Sequence, residues 1–105
     1  MSLTPSQISN LHAAIESAIS RIPITMDEWG ERSNLKKHGI NDVSDFVFGY
    51  IVGLISNSFF YIMYISEGRH PTIEEVAESK KIISEWIPRI EQAILIERHR
   101  LRIHG

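Results

Sequence analysis

Glu74, Glu75 and Glu78 form the acidic cluster of this 105-residue chain, in the pattern Glu-Glu-x-x-Glu. Carboxylates at that spacing open a helix well, because the positive end of the helix dipole favours negative charge in the first turn. Glu67 and His70 have the Glu-x-x-His spacing that serves di-metal bundles when both residues share a helix. Gly68 and Pro71 interrupt any helix there, so the pair is not expected to share a face. His99 and His104 have no carboxylate at a suitable helical spacing. No serine sits in an elbow-type glycine frame, and no glycine loop of the phosphate-cradling kind is present. Arg98, Arg100 and Arg102, in Glu-Arg-His-Arg-Leu-Arg, make the C-terminus the most basic stretch and the candidate phosphate contact. Lys36 and Lys37 are possible helpers. The same cations also complement the negative ends of helices.

Glu74-Glu75-x-x-Glu78 resembles half of the metal site of the all-α nucleotide pyrophosphohydrolases, which are small helical oligomers. That resemblance implies carboxylates holding magnesium against a di- or triphosphate. The match covers five residues. The second half of the family's motif, Glu-x-x-Asp on a following helix, is absent, because no aspartate follows Asp45. Asp42-x-x-Asp45 comes before the cluster, in the wrong order. No catalytic residue, metal ligand or cofactor is therefore assigned.

Composition narrows the classes further. The chain has no cysteine, which excludes disulfides, thiolate nucleophiles and cysteine metal sites and fits a cytoplasmic protein. A formal net charge of −2 predicts no strong steering toward nucleic acid or acidic partners. Hydrophobic residues at 43% and charged residues at 23% are proportions of a folded globular domain, not of a disordered chain. The length suits one domain.

Four helices account for the patterning, over about 5–22, 26–38, 44–67 and 73–102. Thr4, Pro5 and Gln7 make a capping box with proline at the first helical position. Ile8, Leu11, Ile15, Ala18, Ile19 and Ile22 follow as one stripe, and Pro23 is read as the stop. Thr25 and Glu28 offer a second box, with Gly39 as terminator. Asn41 or Ser44 can cap the third helix, and Gly68 ends it. Thr72 and Glu75 form a third box. Val76, Ile83, Ile87, Ile90, Ile94 and Leu101 give the last stripe, with a kink or split expected near Pro88.

The third helix organises the rest. From Phe46 to Ile65 it carries no charge. At about 20 residues it meets the length test for a membrane span, yet it is sided. Tyr50, Asn57, Tyr61 and Tyr64 fall on one face, where a spanning helix would keep tyrosines at its ends. Phe48, Val52, Ile55, Phe59 and Ile62 fall opposite. Gly49, Gly53 and Ser56 form a small-residue stripe between, suited to close helix approach either within the chain or across a dimer.

The reading is an all-α, four-helix bundle-like domain with a central apolar helix, assembled as a cytoplasmic homodimer and acting as a non-catalytic interaction or regulatory module. Tyr50, Asn57, Tyr61 and Tyr64 are its candidate partner contacts, and Gly49, Gly53 and Ser56 its candidate dimer contacts. Three alternatives stay open: a nucleic-acid binder using the basic C-terminus, a magnesium-dependent pyrophosphohydrolase-like enzyme, and a single-pass membrane protein.

Overall fold

Every regular element in the computed structural model is helical. The described residues are 2–30 and 35–104, with side chains described as far as 101. In chain order they form α1 (Pro5–Ser20), α2 (Ile22–Trp29), a short 3-10 turn (Leu35–His38), α3 (Val43–Glu67) and α4 (Ile73–His104). The helices pack into a body of 45 × 25 × 19 Å.

The capping boxes at both ends of the chain form as the sequence predicts. The Gln7 amide N–H donates to Thr4 Oγ1 at 3.1 Å, and the Thr4 N–H donates to Gln7 Oε1 at 2.9 Å. Glu75 and Thr72 repeat the exchange at the start of α4, at 3.2 and 2.7 Å. Satisfying orphan N–H groups this way stabilises a helix start by about 1 kcal/mol.

The second predicted helix needs correction. The first helix ends at Ser20, and Pro23 does not simply stop it. Pro23 sits in the opening turn of α2, where its missing N–H costs nothing. Thr25 is no cap but a buried residue inside α2, its hydroxyl donating to the Arg21 carbonyl at 2.8 Å. The helix ends at Trp29, well short of the expected 38, and Leu35–His38 is a separate turn. Positions 31–34, which the predicted helix would cross, lie outside the described residues. Gly39 does terminate the turn, at φ 80°, a conformation open to glycine at little cost.

Helix α3 is capped by Asp42, not by Asn41 or Ser44: Asp42 Oδ1 accepts from the Asp45 N–H at 3.1 Å. It ends where predicted. Gly68 takes φ 68° and donates its N–H to the Tyr64 carbonyl at 2.8 Å. Its buried side chains are Val47, Ile51, Ile55, Phe59 and Met63. That strict four-residue spacing is an i±4 ridge, inclined to the helix axis, of the kind that seats in a neighbouring helix's groove. The predicted inward residues Phe48, Val52 and Ile62 are only half-buried, because the ridge runs obliquely around the helix.

Helices α1 and α4 cover this ridge with the stripes read from their sequences. Leu11, Ile15 and Ala18 of α1 and Ile83, Ile90 and Ile94 of α4 are buried, joined by Ile22 and Met26 of α2. Each such leucine, isoleucine or methionine side chain contributes about 1.5–3 kcal/mol of transfer free energy. Helix α4 runs through Pro88 without splitting.

Candidate functional site

One face of α3 has no cover. Taken at 100° per residue, Tyr50, Gly53, Phe60, Tyr61 and Tyr64 all fall within about 60° of Asn57, and Gly49 and Ile65 within about 80°. All eight are exposed. Tyr61 is 67% accessible and Ile65 66%, high values for large apolar side chains on the central helix of a domain. None of Tyr50, Asn57, Tyr61 and Tyr64 makes a side-chain hydrogen bond among the described residues; Tyr50 meets only the Phe46 ring, at 6.4 Å.

The glycines belong to this open face. A Cβ built on Gly49 or Gly53 would meet no atom within 4 Å. They are not the site of a close approach between helices of one chain. Ser56 is half-buried at the margin and Leu54, likewise half-buried, forms the other margin. The patch thus combines the predicted tyrosine–asparagine face and the predicted glycine stripe into one surface. Sequence reasoning missed Phe60 and Ile65. Their angular position near Asn57 was readable; that α1 and α4 would both pack on the far side was not.

The face carries its glycines at one end and most of its large side chains at the other. Gly49 and Gly53 lie in the half before Asn57 with Tyr50 between them, whereas Phe60, Tyr61, Tyr64 and Ile65 occupy the half after it. Beyond the helix end, Ile73 of α4 is 86% accessible and borders a shallow depression with Phe60, Pro71 and Val76.

Protein-family models, curated proteins and solved structures return no match to this chain. The reading therefore rests on geometry alone.

The acidic cluster serves the fold. Glu75 is 4% accessible. Both of its oxygens accept from the Arg69 guanidinium, at 2.8 and 3.1 Å, and one also accepts the Thr72 N–H. The Arg69 hydrogen bonds, followed by the Thr72 backbone bond, lower its pKa to about 2. A carboxylate held so completely by its own chain has no free oxygen edge for a magnesium ion. Glu78 Oε2 accepts from the Ser2 and Leu3 N–H groups at 2.9 and 3.1 Å, tying the N-terminal segment to α4. Glu74 is exposed. No group of three potential metal ligands gathers among the described residues. Glu67 turns to α1 instead of His70: the buried Gln7 amide donates to it at 2.9 Å and to Ser66 Oγ at 3.0 Å.

Among the described residues the basic side chains are divided between partners. Arg100 is engaged by Glu97 at 2.7 Å and Asp27 at 2.9 Å. Arg98 reaches the start of α3, 3.4 Å from Ser44 Oγ, in a groove it shares with Lys36 but also with Asp42. The side chain of Arg102 lies outside those described.

Proposed function

We propose that this chain is a cytoplasmic, homodimeric helical module that works by binding rather than by catalysis, with the open face of α3 as its docking surface. The uncovered apolar face supports this reading most. A folded chain of 12.0 kDa is expected to expose about 6000 Å², and this one exposes 7009 Å². The surplus, roughly 1000 Å², is comparable to the about 800 Å² that each partner gives to a standard interface.

Composition favours a protein occupant over lipid. Tyrosine and asparagine side chains carry polar tips that a protein interface can pair, and tyrosine is enriched at interface centres. Spread along one face, they do not form the paired belts of a membrane span. A second copy is the simplest occupant, since two-fold dimers are the commonest assemblies.

Light scattering on the purified chain in detergent-free buffer tests the proposal. The expected mass is twice 12.0 kDa at micromolar concentration. A monomer there, or a protein that stays dispersed only in detergent, overturns it.

A further inference from the structure

The open face of α3 specifies more than pairing. The positions four, seven and eight residues from Asn57 are matched small against large, or like against like, while three either side Leu54 stands against Phe60. Four residues either side stand Gly53 and Tyr61; seven either side, Tyr50 and Tyr64; eight either side, Gly49 and Ile65. With a rise of about 1.5 Å per residue, these pairs lie about 6, 10 and 12 Å from the level of Asn57.

We infer that two copies dock α3 against α3 antiparallel, with the two-fold axis passing at Asn57. This rests on the dimer reading above and adds orientation and register to it. In this arrangement each Asn57 meets the partner's Asn57, and carboxamides can exchange hydrogen bonds across the axis because each carries both donor and acceptor. The partner's Tyr61 comes level with Gly53, and the partner's Ile65 level with Gly49. The open space over both glycines, where no atom lies within 4 Å of a Cβ position, becomes the recess that admits these knobs. Tyr50 and the partner's Tyr64 come level and share aromatic contact.

The alternatives bury less. A parallel pair sets glycine on glycine and aromatic on aromatic. The rings then hold the backbones apart at one end, leaving the space over Gly49 and Gly53 at the other unfilled. Sliding one helix a turn toward its partner's N-terminus parts the two asparagines, setting Asn57 against Gly53, and brings Ile65 level with the charged Asp45. Sliding it the other way sets Asn57 against Tyr61 and carries Gly49 and Tyr50 past the helix end at Glu67.

The absence of cysteine makes the test clean. Under mild oxidation Asn57→Cys is expected to give a disulfide dimer. Tyr50→Cys alone and Tyr64→Cys alone are not, because each lies about 20 Å from its own symmetry copy. Mixed in equal amounts, those two variants should cross-link with each other about a hundredfold faster than either does with itself, reflecting millimolar effective concentration inside the complex. If Asn57→Cys fails to fold, the Tyr50–Tyr64 pair gives the same answer. A dimeric mass with rapid self-cross-linking of Tyr50→Cys overturns the antiparallel register and leaves the dimer standing. A monomeric wild-type mass overturns both.

Discussion

The two sides of α3 share one uncharged run of sequence, from Phe46 to Ile65, and have opposite fates. The covered side presents Val47, Ile51, Ile55, Phe59 and Met63, side chains with no polar atom beyond a thioether. The open side presents tyrosines, an asparagine and glycines among a few large apolar groups. An average taken along the whole helix hides the difference. What separates them is the distribution of hydrogen-bonding tips: a core that is always dry excludes unpaired ones, whereas a surface that is wet in one state and covered in another can use them.

The largest effect should come from the covered side. Phe59→Ala leaves a cavity at the centre of the ridge and should cost about 3–5 kcal/mol in thermal or urea unfolding. Comparable stability in the variant would mean the ridge is not the core. Next comes the turn that leads from α3 into the helix covering it. Glu75→Gln removes the charge that Arg69 pairs with and turns one of the two acceptor oxygens into a donor, and should lower Tm by about 5–10 °C. Because the folded pKa of Glu75 is lowered to about 2 from 4.5, the stabilisation is complete above the unfolded value. It drains away as pH falls from about 4.5 toward 2. An acid titration of Tm should show that loss in the wild type and a shallower one in Glu75→Gln.

On the open side, Tyr61→Ala should leave Tm of the monomer nearly unchanged while weakening self-association by about 2 kcal/mol, roughly thirtyfold in Kd, read by sedimentation equilibrium. Gly53→Ala is the smallest and the sharpest. In a free monomer it should stabilise α3 by about 0.5–1 kcal/mol, because alanine is the better helix former and nothing obstructs the methyl. In a dimer with a partner ring seated there it should weaken association. Stabilisation of monomer and dimer alike would show that the recess is not filled.

Local chemistry made much of the fold legible. Thr4 with Gln7, Thr72 with Glu75, and Gly39 and Gly68 all act over one turn of chain, and each behaves as its sequence context predicts. Pro23 was ambiguous because one proline can close a helix or open the next; the choice depended on Ile22 and Met26 finding a place in the core. Asp42 outcompeted Asn41 and Ser44 for the cap of α3 by its position one residue before Val43. The open face was half legible. Periodicity grouped Tyr50, Asn57, Tyr61 and Tyr64, but which arc α1 and α4 leave uncovered is a tertiary outcome. Glu78 was opaque, since its partners are backbone N–H groups at the far end of the chain.

The order of the helices has a consequence for synthesis. Helix α3 leaves the ribosome before α4, which supplies Ile83, Ile90 and Ile94 to its buried side. Until α4 emerges, the newly made segment shows water both the flank it will later hide and the flank it keeps. That interval exposes the chain to premature association. The paired glycines and the polar ring tips on the lasting flank make it the less adhesive of the two.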